Sequence, residues 1–576
     1  MSEQIDAIVV GMGASGAIVA AELASAGAKV VGFDKGPAYD GDDVRFKHDE
    51  IKYYVRKEIV PHMGRDPITW RPDARSRATV LPWAVGPLAV DEPLHLPPSL
   101  GTGGGTVHWG GASWRLRAAD FRMRTELVAR WGRSALPEGT DVVDWPITYD
   151  ELEPYFDRVE WEQGVSGRAG NVRGRSIEGG NPFESPRARD FPMPPLRNGA
   201  GDKRFVEAAR RLGYHPFPQP AAIVTTDDFA EGRSGCTYCG FCHGYPCHVD
   251  AKTSTHVTSV PKGLMTGNLD LRPHHRVIEV LRSDDGRRVR GVRYIDPDGR
   301  RRELLADRVV LACYSLENTR LLLVSGVDGN GCTGKYFMTH NYGMFAGLMP
   351  EYTNSFMGPL TAASVIDDVN AELIPDNDLG VLWGSAITSH SGDIQPIEGM
   401  HAMPPHAPTW GAGMKEWARQ NFRRMHAMYA QTASLPSEHA TIDLDPHVED
   451  PWGQPALRIT HDWTDHDVAS VEYHLRIKRR IGQEMGMTEF WNETPRPAWH
   501  LSTHEVGTHR MGEDPAASVV DRHGETHECA GLFAIGGGQF PTNPSYNPTT
   551  TIMALAYLTA EHIAQGATSW GPAPPS

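Results

Sequence analysis

The chain has 576 residues, 40% of them hydrophobic and 22% charged, and a formal net charge of -16. That length exceeds what one hydrophobic core usually serves, so two domains are expected. The acidic balance argues against a nucleic-acid binder, and no apolar run approaches the ~20 residues of a membrane span.

Met1 to Asp6 holds neither a basic n-region nor an apolar h-region, so no secretory signal is expected on this chain. The next stretch, Asp6 to Gly36, organises the rest. A β-branched run, Ile8-Val9-Val10, suits a buried strand. Gly11, Gly13 and Gly16 follow as G-x-G-x-x-G, and a small-residue helix is predicted from Ala17 to Ala26. A second strand, Lys29 to Phe33, ends at Asp34, about 20 residues beyond the glycines. Gly11 allows the tight turn, Gly13 lets backbone approach a pyrophosphate, and Gly16 lets helix and strand pack closely. The helix N-terminus offers N–H groups and a positive dipole end to phosphates, and Asp34 would accept from a ribose. This is a dinucleotide-binding βαβ unit, and by itself it does not separate FAD from NAD.

Residues 36–100 read as irregular, rich in charge and proline. The run Gly101-Thr-Gly-Gly-Gly-Thr-Val-His-Trp-Gly-Gly111 is dense in glycine, as backbone running close to a flat or charged group needs. A helix is predicted after Thr148, with Glu151 completing a capping box, and another from Phe205 to Leu212. Residues 276–312 read as strands joined by Asp285-Gly286 and Asp298-Gly299 turns, the last strand returning to the buried sheet, with the arginines 300–302 at a solvated tip. Residues 330–500 lack a clear helical period, which suits an antiparallel sheet with long loops. The tail 567–576 reads as disordered.

Seven cysteines in a chain this long are not a disulfide framework, and four of them cluster. Cys236, Cys239, Cys242 and Cys247 are spaced C-x2-C-x2-C-x4-C, as if the chain wrapped a metal–sulfur core. Zinc and a metal-free structural loop are the competing readings. Disulfides between such near neighbours would be strained. Near the C-terminus, His504-Glu-Val-Gly-Thr-His-Arg-Met-Gly512 precedes an apolar strand, Leu532 to Ile535. Gly536-Gly-Gly538 ends that strand. Asn547 and Pro548 read as the N-cap and first residue of a helix from about Thr550 to Ile563.

Taken in order, the glycine-rich N-terminus, GTGGGTVHWGG, DWPITYDELEPYFDRVE, VVLACYSLENTRLLLVSG, TGKYFMTHN, HEVGTHRMG and NPTTTIMAL resemble the glucose–methanol–choline (GMC) oxidoreductases. The resemblance runs nearly end to end. It is nearest to the flavoprotein large subunits of gluconate 2-dehydrogenase type, with a catalytic region similar to that of pyranose oxidase. Residues 345–500 match only loosely. The resemblance implies an α/β fold, a Rossmann-type FAD-binding domain plus a substrate domain with a large, mostly antiparallel sheet. The expected division is 1–329 for FAD binding (with a Cys-rich insertion at 232–254 and some segments of the substrate domain), 330–500 for substrate, 501–566 returning to the FAD domain with the catalytic residues, and 567–576 as a tail.

It also implies FAD, and oxidation of a sugar, sugar-acid or polyol hydroxyl by hydride transfer to flavin N5. His504 then stands at the position of the catalytic base and Asn547 at that of its partner. An imidazole can take the hydroxyl proton at neutral pH, and an amide can hold the oxygen without ionising. His509 reads as a packing neighbour. The expected cofactor contacts are Gly11, Gly13, Ser15, Gly16, Asp34, Lys35, Gly103, Gly104, Thr106, His108, Trp109, Gly537, Asn547, Pro548 and Thr549. His108 stands where pyranose oxidase carries covalent FAD, and both a covalent bond and a plain contact stay open. The cysteine segment points to a 3Fe-4S cluster using three of the four thiols. With a cluster the enzyme is a dehydrogenase, served by a small twin-arginine-signal subunit and a cytochrome c acceptor. The location stays open between the cytoplasm and the periplasm, the latter reached by co-export with that subunit. An O2-using oxidase, an electron-transfer flavoprotein without its own substrate, and an NAD(P)-dependent dehydrogenase are the other readings.

Overall fold

The computed structural model describes residues 5–39, 48–55, 66–80, 100–229, 232–390, 395–401, 403–496 and 502–566. At its centre the strand Ala7–Val10 is wholly buried. Ile8 lies opposite Val31 of Val30–Phe33 on one side and Val309 of Val309–Leu311 on the other, all parallel. Leu269–Arg272 and Leu532–Ala534 complete a five-stranded parallel sheet, so both ends of the chain build it. Strands buried on both faces need continuous apolar runs, which four of these are; the edge strand Leu269–Arg272 alternates apolar and charged residues. The helix Gly16–Ser25 packs against the C-terminal helix Thr549–Gly566, which in turn packs against Tyr149–Gln163.

The helix Tyr149–Gln163 begins as its sequence predicts. Thr148 Oγ1 accepts from the Glu151 N–H at 3.3 Å, and the Glu151 carboxylate accepts from the Thr148 N–H at 2.9 Å. The strands Arg276–Arg282, Val289–Ile295 and Arg301–Leu305 form the expected antiparallel meander before Val309–Leu311 enters the parallel sheet. At its exposed tip Arg300 and Arg302 pair with Asp298 and Asp296.

Residues 330–500 supply most of a second, antiparallel sheet, as expected. Its order is Glu489–Trp491, Phe345–Leu348, Met425–Thr432, Ile387–His390, Ser364–Ile366, Phe217–Pro218. The short strand Asn341–Tyr342 pairs with Thr432 and Gln431 at the end of the longest strand. The same region also holds helices that its pattern hides: Pro396–His401, Gly411–Asn421 and the long Asp465–Glu484. In the long helix Ser470, His474 and Lys478 share the buried face with Val471, Leu475 and Ile481, so the apolar period is broken by polar core residues. Thr464 and Asp467 form its capping box.

The stretch 36–100 is not wholly irregular. Ile68–Arg71 pairs with Thr79–Val80 and runs parallel to Pro455–Thr460. Much of the remainder of that stretch, and the tail 567–576, lie outside the described residues. Among the described residues no helix is long and apolar enough to cross a membrane.

Candidate active site

Three segments remote in sequence meet at the N-terminus of the helix Gly16–Ser25. Gly11 has φ +92°, and a Cβ on it would lie 2.6 Å from the Cys313 Cα. A Cβ on Gly16 would lie 1.9 Å from the Gly11 carbonyl oxygen, so the helix can close on the strand only through glycine. Gly13 and Gly104 face each other backbone to backbone, a Cβ on Gly104 falling 2.9 Å from the Gly13 Cα. Ser15 takes the N-cap position without a side-chain cap bond, and a Cβ on Gly536 would lie 3.9 Å from its Oγ. The convergence sits beyond the carboxyl ends of the parallel strands, where open α/β sheets bind ligands.

Asp34 does more than the sequence suggests. Its buried carboxylate accepts from the N–H groups of Met12 (3.1 Å), Gly36 (2.8 Å) and Gly101 (3.1 Å), tying both glycine loops to the strand end. Burial raises its pKa, and the three donors pull it partly back. Lys35 commits its ammonium to Asp66 at 3.0 Å and Glu317 at 3.7 Å. The Thr106 hydroxyl donates to the Gly103 carbonyl at 2.6 Å and accepts from the Thr255 N–H at 3.2 Å, pinning two loops together. Gly103 is left-handed at φ +91° and donates its N–H to the Met12 carbonyl at 2.7 Å.

The cysteine segment is fastened to the glycine-rich loop, although far from it in sequence. The His108 carbonyl accepts from the Gly244 N–H at 2.7 Å. Trp109 Nε1 donates to the Thr253 carbonyl at 2.8 Å. The Lys252 ammonium, only 2% exposed, donates to the carbonyls of Trp109 (2.8 Å), Cys242 (2.6 Å) and Tyr245 (2.6 Å). Cys236, Cys242 and Cys247 pack in one apolar cluster with Leu196, Ala221, Ile223 and Ala251. The N–H groups of Tyr238 and Lys252 donate to Cys236 Sγ and Cys247 Sγ, each at 3.4 Å. Burial pushes the Cys236 thiol up to about 12, so it is a neutral thiol at neutral pH. Two of the three sulfurs sharing this apolar cluster thus accept a backbone N–H.

His504 and Asn547 come together as predicted: Asn547 Nδ2 lies 3.3 Å from His504 Nε2. Asn547 is not the helix cap. The Pro548 carbonyl accepts the first helical bond, from the Ile552 N–H at 2.9 Å, and the helix starts at Thr549. Asn547 therefore precedes the cap, and its amide is turned to the histidine. Gly537 opens a turn of 3₁₀ helix beneath them, where a Cβ would fall 2.9 Å from the Glu505 carbonyl oxygen.

The tautomer of His504 follows from its other side. His340 Nε2 donates to the Pro544 carbonyl at 2.7 Å, and burial brings the His340 pKa down to about 4, so its Nδ1 carries a lone pair. That lone pair accepts from His504 Nδ1 at 2.9 Å. Tyr342 Oη lies 3.0 Å from the same Nδ1. The proton of His504 is thus held on Nδ1, assigned from the network, and Nε2 is left bare beside Asn547. Burial first, then the nearby His340 and His243, keep the His504 pKa well below its ordinary value.

His340, Tyr342 and His243 are absent from the predicted site. His340 and Tyr342 alternate along the edge strand, so both reach the same face. That spacing is a signal only once the strand is known. Burial first, then His243 next to Cys242, lowers the His390 pKa to about 4, and the His390 ring packs edge-on to Tyr429 at 5.7 Å.

The residues present fit a flavin dinucleotide. Besides the glycine cradle, the Glu505 carboxyl oxygens and the Gln539 amide are buried without a hydrogen-bond partner from the protein. Gln539 lies in the turn that begins at Gly537, and the Glu505 backbone borders it, so both unpartnered groups fit beside a polar ligand.

The comparisons agree with this architecture. Family models described as GMC oxidoreductase match residues 118–342 and 436–556. The chain is 31% identical to the gluconate 2-dehydrogenase flavoprotein of Pantoea cypripedii, over 97% of this chain and 94% of that one. It is 25% identical to the fructose dehydrogenase large subunit of Gluconobacter japonicus, over 97% of each. The solved structure of a formate oxidase from Aspergillus oryzae RIB40 superposes with a TM-score of 0.62 at 14% identity, covering 97% of this chain and 98% of that one. Motif order, strand order and near full-length likeness coincide, and the chain belongs to the GMC oxidoreductases, enzymes acting on alcohol groups.

Proposed function

We propose that this enzyme oxidises a hydroxyl of a sugar, sugar acid or related polyol and passes the electrons to an external acceptor through an iron–sulfur centre. The observation that carries the reading is the His504–Asn547 pair, with a bare Nε2 beside an amide donor at 3.3 Å. The names of the gluconate and fructose dehydrogenase relatives support the substrate class.

FAD, when bound at the glycine cradle, supplies the hydride acceptor. The chain handles the proton. Asn547 Nδ2 donates to the substrate oxygen and fixes it. His504 Nε2 takes the hydroxyl proton as the carbon gives up hydride, and His340 Nδ1 holds the Nδ1 proton of the resulting imidazolium. The low pKa of His504 keeps the ring in its base form at neutral pH. Residues 1–329 with 501–566 serve the cofactor, and 330–500 shape the substrate face. Cys236, Cys242 and Cys247 would hold a 3Fe-4S cluster, which supplies a one-electron exit.

The test is His504→Ala. It keeps FAD but slows flavin reduction by substrate about 10²–10⁴-fold, the usual worth of a general base. Stopped-flow reduction within threefold of wild type rejects the assignment. A small subunit with a twin-arginine signal and a cytochrome c acceptor complete the reading, which draws support from the "large subunit" name of the fructose dehydrogenase relative. Expression with the native gene neighbours, followed by cell fractionation, places activity in the periplasm. Activity confined to the cytosol, with stoichiometric peroxide, overturns both export and acceptor.

A further inference from the structure

His48, Cys239 and His248 bring one donor atom each to a common point, all within 4.8 Å of one another. We propose that these three side chains form a mononuclear metal site of zinc type, separate from the thiols Cys236, Cys242 and Cys247.

The backbone kinks on both sides of Cys239. Tyr238 at φ +57° and Gly240 at φ +81° flank it, both left-handed, so the chain kinks on either side. A Cβ on Gly240 would lie 2.2 Å from the Phe356 carbonyl oxygen, so the kink is fixed by packing. The other three cysteines share an apolar cluster that does not include Cys239. The imidazoles are oriented by their own packing. His48 stacks on Phe241 with ring centroids 4.4 Å apart and planes 1° from parallel, and His248 stands edge-on to it at 4.3 Å. His48 Nε2 and His248 Nδ1 lie 2.9 Å apart. A tetrahedral ion with Zn–N of about 2.0–2.1 Å and Zn–S of about 2.3 Å needs donors about 3.3–3.7 Å apart, a small opening of this arrangement. A bond between two neutral rings would explain the nitrogen contact alone. It gives no reason for a thiol within reach of both.

Two imidazoles and one thiolate are a borderline-soft set that suits Zn2+, with a fourth position for water on the exposed His48 side. Zinc is redox-inert, so the site carries no electrons. It is a clasp. It joins 48–55 to the cysteine segment, beside the Tyr53–Tyr245 ring contact at 6.0 Å. Glu50 of the same segment accepts the Ile397 N–H at 3.0 Å.

The full-length, FAD-loaded chain is dialysed against ZnCl2 and then against metal-free buffer. Zinc, iron and flavin are measured in wild type, His48→Ala, His248→Gln, Cys239→Ser and Cys242→Ser, with flavin absorbance reporting a folded chain. The expected result is about one zinc per wild-type chain, falling roughly tenfold or more in the two histidine variants and in Cys239→Ser. Iron is unchanged in those three and lost in Cys242→Ser. Wild type that retains no zinc overturns the site, as does zinc retained by both histidine variants. Iron lost equally from Cys239→Ser and Cys242→Ser makes Cys239 a cluster ligand and overturns it too. The zinc comparison stands whether or not iron is found, so failure of the cluster is told apart from failure of this site.

Discussion

At the scale of single residues, the proposed role of His504 depends on a partner the substrate never touches. The His340 imidazole is fully buried and donates to the Pro544 carbonyl, which commits its other nitrogen to accept. His340→Phe removes that acceptor and lets His504 move its proton to Nε2, where it can no longer act as base. We expect flavin reduction to slow about 10–100-fold, with partial rescue by His340→Gln, whose carbonyl can accept. A fall equal in both variants, with binding weakened in step, would reduce His340 to packing. The pH profile gives a second check. A histidine whose folded pKa is depressed stays a base as pH falls through the ordinary value of about 6.5. The kcat/KM for reduction should hold flat from pH 8 to below about 6.5. A limb centred above that value, abolished in His504→Gln, contradicts a desolvated base.

At the scale of elements, the helix Asp465–Glu484 carries an unusual burden. Lys478 is fully buried on its inner face, donates to the Gly343 carbonyl, and is brought down to about 7 by desolvation. The unfolded chain holds that proton up to about pH 10, so between about 7 and 10 it binds more protons than the folded chain. The stability from this site therefore rises with pH. Lys478→Met removes the desolvation cost, so its gain in Tm over wild type should be larger at pH 6 than at pH 9. A larger gain at pH 9 would show the ammonium to be compensated inside the fold. This helix also marks the limit of reading the sequence. Ser470, His474 and Lys478 stand where a periodic pattern needs apolar residues, and the period vanished with them. The βαβ unit and the capping box at Thr148 were legible because their determinants are local: a few glycines, an acid, a Thr-x-x-Glu. The meeting of His504 and Asn547 was legible through their motifs. His340 and Tyr342 were not, because they matter only once the edge strand Asn341–Tyr342 has paired with Thr432 and Gln431.

At the scale of the whole molecule, the cysteine segment is fastened to the glycine-rich loop beside the dinucleotide cradle. It bonds to that loop through Gly244 and Lys252, and on the proposed function it lies on the electrons' way out. We therefore expect Cys242→Ser to let substrate bleach the flavin in one anaerobic turnover while steady-state activity with a one-electron dye falls sharply. Wild type should make little peroxide. Dye turnover unaffected by the loss of Cys242 would mean that electrons leave without the thiols.

The Lys252 ammonium has a consequence for maturation. One buried cation holds three carbonyls, one from the flavin-side loop and two from the cysteine segment. Neither loop can settle until the other is in register, so, with the proposed cluster, flavin and iron are expected to enter together. Cells starved of iron should then accumulate chains short of flavin as well. Lys252→Met should strip both groups together, leaving a folded but colourless protein.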